Sequence, residues 1–165
     1  MELDVMTGPE KGTIRLDTDD SFSQSLGRLI LSGGLAITPL GGIVRPYTWA
    51  GVNPSVKGTL VEITADNTVN TSVPDAVDVV GIVYNSGVAT GGTVLVVFTG
   101  VAEVLLKDGV AGVAGNWMGS HDVAGRARCQ ANPGAVGLHN QEIGHCILSV
   151  LAGVNVLTRC HLHFN

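Results

Sequence analysis

The sequence predicts an all-β protein, a compact sandwich or barrel-like domain with an extended N-terminal arm. Short blocks of Val, Leu and Ile between Val77 and Trp117 are each interrupted by Gly or a polar turn. Branched side chains restrict χ1 and suit a pleated sheet, and dipeptides such as Asp108-Gly109 and Gly91-Gly92 favour tight turns. Strand-like blocks at short intervals without helical patterns between them are typical of sandwiches and barrels.

The chain divides into an arm, residues 1–34, and one β-domain, residues 35–165. A length of 165 residues is sufficient for one hydrophobic core. Within the arm a short helix could begin at Ser21 and end at Gly33-Gly34, or Leu29–Leu31 could be an extended segment laid along the body. The residues that would share the helical face are Phe22, Leu26, Leu29 and Ile30.

The β-domain is predicted to contain eight strands. In chain order they are Ile43–Tyr47, Thr59–Thr64, Val77–Tyr84, Thr93–Phe98, Val101–Leu106, Val110–Trp117, Ile143–Leu151 and Val156–Phe164. The stretch Ser120–Gly137 is predicted to be a loop. Ile143–Leu151 also fits a helical stripe, but Gly144 and the hairpin-like partner that follows favour a strand.

The charge distribution argues against nucleic acid as a partner. Residues 1–20 hold six acids and two bases, a net charge of −4, whereas the remaining residues are nearly neutral. Nine Lys and Arg in the whole chain are too few for a phosphate-binding surface. The first residues do not resemble a signal peptide and no apolar run is long enough to span a bilayer, so we expect neither export nor a membrane partner. Charged residues make up only 14% of the chain, which favours a surface covered by partner subunits.

All five histidines and all three cysteines lie between His121 and His163. His161 and His163 would share one face of the last strand, and a neighbouring strand could bring His145 close to them. These three histidines are weak candidates for a zinc site, because the region has no CxxC or HExxH motif. We expect no metal and no cofactor, and favour reduced, buried cysteines and histidines hydrogen-bonded at a subunit contact.

No enzymatic site is predicted. Ser120-His121-Asp122 contains the three residue types of a serine-hydrolase triad, but a triad draws its members from separate parts of a fold. The glycine spacing at Gly109, Gly112 and Gly115 is more typical of β-turns than of a phosphate loop, because no Lys follows it. A zinc-dependent activity built on the five histidines is the alternative from the enzyme class, and we expect no catalytic residues.

Trp49 and Trp117 admit two interpretations. Exposed tryptophans could stack on sugars or anchor an interface, whereas buried ones would fill the core or close the ends of a barrel. We favour the core. The sugar-stacking alternative would make this chain a glycan-binding protein.

The order of the strand-like segments resembles that of the capsid cement, or decoration, proteins of tailed bacteriophages. The segments are Lys57–Val61, Val79–Val83, Gly91–Val97, Thr99–Val104, Ile143-Gly144-His145 and Val156–Phe164. The resemblance covers roughly residues 55–165, and its motifs consist mostly of Gly and Val.

The resemblance implies a compact β-domain that binds the outside of an expanded phage head and bridges major capsid protein subunits. It also implies self-association, as a trimer, and a location on the capsid surface of the virion after synthesis in the host cytoplasm. The alternative is a virion surface or tail component that binds host glycans through Trp49 and Trp117. We expect the arm to contribute lattice contacts and the final strands to contribute to self-association. The arm residues expected to contact the lattice are Leu3, Val5, Ile14 and Leu16.

Overall fold

The computed structural model describes residues 35–131 and 140–164, together with the strands at 15–17 and 28–30. The protein is all-β, and the described residues include no α-helix. They therefore include no helix that is long and apolar enough to cross a membrane.

In the described part of the chain, twelve strands are connected through one hydrogen-bonded network. In chain order they are β1 (Arg15–Asp17), β2 (Arg28–Ile30), β3 (Ala36–Ile37), β4 (Ile43–Trp49), β5 (Leu60–Ala65), β6 (Thr68–Thr71), β7 (Gly81–Val83), β8 (Thr93–Leu105), β9 (Trp117–Ser120), β10 (Ala127–Gln130), β11 (Glu142–Cys146) and β12 (Leu157–Leu162). The first four form an antiparallel meander, β1-β2-β3-β4.

Five of the strands close into a small barrel. The order around it is β4-β6-β5-β7-β8, and β8 pairs back with β4. The β4–β6 pair is parallel and the other four pairs are antiparallel. Because the barrel is closed, each of these five strands is hydrogen-bonded on both sides along its paired residues. This limits association with another chain by edge-to-edge strand pairing.

The long strand β8 joins the barrel to a second antiparallel sheet. Its first half pairs with β4 and β7, and its second half pairs with β12, beyond which follow β11, β9 and β10. Gly100 lies where the partners change and has a φ of +81°, and a Cβ there would lie 2.4 Å from the carbonyl oxygen of Gly41. Glycine is thus required at this point both by conformation and by space.

Two hydrophobic clusters occupy the two faces of the barrel wall. Each of the five barrel strands contributes to the inner cluster, which consists of Trp49, Val61, Val69, Val83, Val94 and Val96. Residues next to these in sequence, whose side chains point to the other face of the strand, belong instead to a larger cluster shared with β9–β12. Examples are Leu60, Ile82 and Val97. The alternation of side chains along each strand thus fills the barrel and joins it to the second sheet.

The predicted strands agree with the structure best at β4, β5 and β12. The barrel strand β6 was not predicted, and several other predictions need correction. Thr93–Phe98 and Val101–Leu106 are one strand, because Gly100 bends the chain without reversing it. The predicted strand Val110–Trp117 is wrong: this segment is a turn-rich loop with a single bridge at Gly112, and the strand begins at Trp117.

The predicted loop from Ser120 to Gly137 contains β10. The predicted Val77–Tyr84 and Ile143–Leu151 shorten to β7 and β11, so the helical alternative at Ile143 does not apply. In the arm, Arg28–Ile30 is a strand, the extended of the two alternatives, and the rest of the predicted helix lies outside the described residues.

Candidate functional site

Glu142, His145 and His163 place three potential metal-ligating atoms together on the outer face of the β11–β12 pair. Nδ1 of His145 lies 2.7 Å from Nε2 of His163, and the two ring centroids are 4.9 Å apart. Oε1 of Glu142 lies 3.8 Å from Nδ1 of His145 and 3.5 Å from Nε2 of His163. The three donor atoms all lie within 4.8 Å of one another. We refer to these residues as the Glu–His cluster.

A local irregularity in β11 brings the carboxylate to the histidine face. Glu142 and His145 are three residues apart, so a regular strand would direct them to opposite faces. The register of β11 against β9 shifts between Glu142 and Gly144, and Ile143 and Gly144 are buried in succession. The shift interrupts the alternation of side chains along β11, so the side chains of Glu142 and His145 reach the same face.

Gly144 makes this irregularity feasible. Its φ is +146°, a value that residues with a side chain rarely adopt. A Cβ at this position would lie 2.1 Å from the carbonyl oxygen of His161. The close β11–β12 approach beside the cluster therefore depends on glycine.

The five histidines predicted as one group have different positions. His145 and His163 meet as the alternation along the strands predicts, whereas His161, directly opposite His145 in the register, is exposed and is not part of the cluster. His121 lies beside Asp122 at the end of β9, and His139 lies outside the described residues. Sequence reasoning missed Glu142 as a member, because only the bulge brings its carboxylate to this face.

Two of the three cysteines lie on the opposite, buried side of the same strands. Cys146 and Cys160 are cross-strand partners and are buried, and Cys129 is half-buried on β10. All three are free thiols. Burial raises the pKa of the Cys160 thiol far above its usual range, and it also raises that of Cys129.

Ser120, His121 and Asp122 do not form a catalytic array. The Ser120 hydroxyl is buried and donates to the carbonyl of Ala76 at 2.7 Å. Nδ1 of His121 accepts a hydrogen bond from the backbone N–H of Asp122 at 2.6 Å. The Asp122 carboxylate accepts from the Lys107 ammonium at 2.9 Å, which lowers its pKa. The His121 ring and the Asp122 carboxylate are also in contact with each other, but the Ser120 hydroxyl is bonded to Ala76 and not to the ring.

Both tryptophans are core residues. Trp49 is 2% exposed, and its indole N–H donates to the carbonyl of Asn53 at 2.8 Å. Trp117 is 4% exposed and lies 5.9 Å beneath the guanidinium of Arg128. The interpretation of these residues as exposed stacking platforms is therefore wrong for this chain, and the core interpretation is confirmed.

Of the arm residues expected to contact the lattice, Leu3, Val5 and Ile14 lie outside the described residues. The backbone of Leu16 is the middle of β1, opposite Leu29 of β2. The final strand β12 has both of its edges paired, with β8 and β11. Self-association through β12 would thus have to use its exposed face rather than a free edge.

Two neighbouring loops expose a set of large apolar side chains. The loop between β8 and β9 and the loop between β11 and β12 are joined by reciprocal backbone hydrogen bonds between Gly112 and Val150, at 3.1 and 3.0 Å. A further bond runs from the N–H of Gly109 to the carbonyl of Gly153. The exposed side chains on these loops, which we call the loop-pair surface, are Val113, Ile147, Leu148, Leu151 and Val154.

Comparison with known proteins finds a similar solved structure but no match to a family model or a curated sequence. Among solved structures, the chain is similar to one titled as the crystal structure of the head fiber gp8.5 N base in bacteriophage phi29. The two are 14% identical with a TM-score of 0.48, and the match covers 74% of this chain and 96% of that one.

Proposed function

We propose that this chain is a structural, non-catalytic protein of a tailed-phage head, which decorates the outer surface and bridges major capsid protein subunits. The proposal rests on which strands the segments that resemble cement proteins form in the structure. Its segments supply β7, β8, β11 and β12 and the beginning of β5, which are framework strands of the barrel and the second sheet. The resemblance therefore concerns the body of the fold. The similar solved structure also has a phage head protein in its title, but the proposal does not depend on it.

The loop-pair surface is the part of the described chain best suited to protein contact. Leu151 is 89% exposed and Val154 is 74% exposed, although both are apolar. Apolar side chains grouped on a surface favour burial against a partner, at about 25 cal/mol per Å² removed from water. The hydrogen bonds between the two loops fix the surface before binding, which reduces the entropy lost on association.

The proposed mechanism is additive contact energy. A specific interface of standard size buries on the order of 1,600 Å² in total. A subunit that spans a seam between capsid proteins must detach before the seam opens, so its binding free energy stabilises the closed shell. Repetition over a symmetric lattice multiplies a modest affinity into a strong restraint.

The acidic arm is the second proposed contact. Leu3, Val5, Ile14 and Leu16 are the apolar residues that would order against the lattice, and the trimer would present one arm from each copy. Hydrogen exchange of the free protein and of decorated heads tests this part. We expect residues 1–30 to become protected on the head, and unchanged exchange there would remove the arm from the proposal.

Substitution of the loop-pair surface tests the main contact. Leu151→Asp places a charge where an apolar contact is proposed, and we expect it to weaken binding to heads by at least about tenfold, because an unpaired charge is costly to bury. Val52→Asp is the matched control, since Val52 is 94% exposed and lies outside the loop pair. Co-sedimentation with heads that lack the protein measures both. Equal binding by the two variants would contradict a contact through this surface.

A further inference from the structure

We propose that the Glu–His cluster binds a divalent transition-metal ion, with zinc as the preferred biological ion. The ligands would be Oε1 of Glu142, Nδ1 of His145 and Nε2 of His163. Two imidazoles and a carboxylate form a common protein donor set for zinc, and the remaining coordination position is open to solvent or to a donor from a neighbouring protein. The inference is independent of the proposed role on the phage head.

The distances are close to those that a zinc ion requires. Zinc bound by nitrogen and oxygen at about 2.0–2.2 Å holds tetrahedral ligand atoms roughly 3.3 Å apart. The carboxylate oxygen is 3.5 Å from Nε2 of His163 and 3.8 Å from Nδ1 of His145. The two ring nitrogens, at 2.7 Å, would need to separate by roughly 0.6 Å, a movement that side-chain torsions of two partly exposed rings can supply.

The hydrogen bond between the two histidine rings shows that a nitrogen lone pair able to bind a metal ion is present in the site. An N–H···N bond at 2.7 Å requires one ring nitrogen to donate and the other to accept, so the accepting nitrogen presents a lone pair. A metal ion binds through such a lone pair, and it would replace the shared proton between the rings. The neighbouring carboxylate adds a negative charge that favours a cation at the same point.

The surroundings hold the carboxylate in place and leave the site accessible. The Glu142 side chain is only 8% exposed, whereas the His145 and His163 side chains are 51% and 43% exposed. A carboxylate held at the base with two rings at the entrance restricts the ligand atoms while allowing an ion to enter from solvent. Because the ligands come from β11 and from the residue that follows β12, a bound ion would connect the final strand to its neighbour.

Calorimetric titration of the chelator-treated full-length protein with ZnCl₂ tests the proposal. We expect one zinc ion per chain and a higher melting temperature in its presence, since the ion would bind the folded state. Mg²⁺ and Ca²⁺ should give neither effect, because they prefer sites made of oxygen ligands. Absence of zinc binding in the micromolar range would overturn the proposal.

Variants locate the site. His145→Ala, His163→Ala and Glu142→Gln should each weaken zinc binding by more than the about 10–100-fold that loss of an outer-shell partner costs. His161→Ala is the matched control, because His161 is an exposed histidine on the same strand pair outside the cluster. Loss of binding in His161→Ala with full binding in His163→Ala would overturn the assignment.

A measurement on the unmodified protein tests the site even where a variant fails to fold. Zinc should shift the ring resonances of His145 and His163 in NMR spectra and leave those of His121 and His161 in place. Shifts spread over all histidines would indicate adventitious binding and contradict a built site.

Discussion

Gly144 holds a backbone conformation that other residues rarely adopt, at a point where β11 lies too close to β12 for a side chain to fit. The bulge around it turns the Glu142 carboxylate toward His145 and His163, while Ile143 and Cys146 remain in the core. A single residue thereby links the packing of the second sheet to the geometry of the Glu–His cluster.

Gly144→Ala should strongly destabilise the protein. The variant has to adopt a φ near +146° and place its Cβ 2.1 Å from the carbonyl oxygen of His161, so we expect a loss of about 3 kcal/mol or more in the free energy of unfolding. Gly109→Ala is the matched control, because Gly109 has a positive φ of +81° but nothing within 4 Å of the added Cβ. It should lose only about 1–2 kcal/mol. Urea unfolding measures both, and equal losses would contradict the role attributed to the close approach.

Cys160 gives a residue-scale prediction about pH. Burial raises the pKa of this thiol, so the folded state keeps it neutral while the unfolded chain ionises it near the ordinary value of 9.0. Above that pH the unfolded state binds fewer protons than the folded state, so the free energy of unfolding falls as pH rises. Urea unfolding between pH 7 and pH 10 should show this decline in the wild type and a smaller one in Cys160→Ala. Equal declines would contradict the assignment to Cys160.

At the scale of elements, β8 is the strand on which the two sheets depend. Val96 and Val97 are paired on both sides, with β4 and with β7, and both are buried. The second half of the strand pairs with β12. Opening β8 would therefore disrupt the barrel and the second sheet together.

Native-state hydrogen exchange checks this central position. The amides of Val94–Val97 should exchange most slowly, with protection close to the global stability, because their release requires the barrel to open. The amides of Arg128–Gln130 on β10, which pairs with β9 alone among the named strands, should exchange faster. Faster exchange in β8 than in β10 would contradict the central position of β8.

The sequence predicted some strands much better than others, for physical reasons. Ile43–Tyr47 and Thr59–Thr64 have branched residues bounded by turn residues, and they lie within two residues of β4 and β5. Strand β10 lacks this pattern. Hydrogen bonds from the Arg128 side chain to Asp75, Gln141 and the Ser120 carbonyl help to hold it in place, and Asp75 is 53 residues away in sequence.

The Glu–His cluster was predictable only in part. Alternation along the last strand and its pairing with the preceding one indicated that His145 and His163 could meet. Periodicity could not identify Glu142, because a bulge is a tertiary feature that reverses the alternation. His161 was wrongly expected in the group on the same grounds, since its position directly opposite His145 does not bring its ring to the other two.

At the scale of the whole molecule, the described chain combines a closed barrel with a sheet whose loops expose apolar side chains. The barrel strands are occupied by their own pairing, so association is expected through side-chain surfaces: the loop-pair surface, the arm and the exposed face of β12. The proposed role on a phage head uses the first two for the lattice and the third for self-association.

Counting bound copies on phage heads is the decisive experiment for the proposed role. Purified protein is added to expanded heads of its own phage that lack it, and bound copies per major capsid protein subunit are determined at saturation, together with the temperature at which the heads release DNA. We expect saturation at a fixed lattice ratio and a higher release temperature. Binding that does not saturate at a fixed ratio, or no binding at all, would contradict a role as a head-decorating protein.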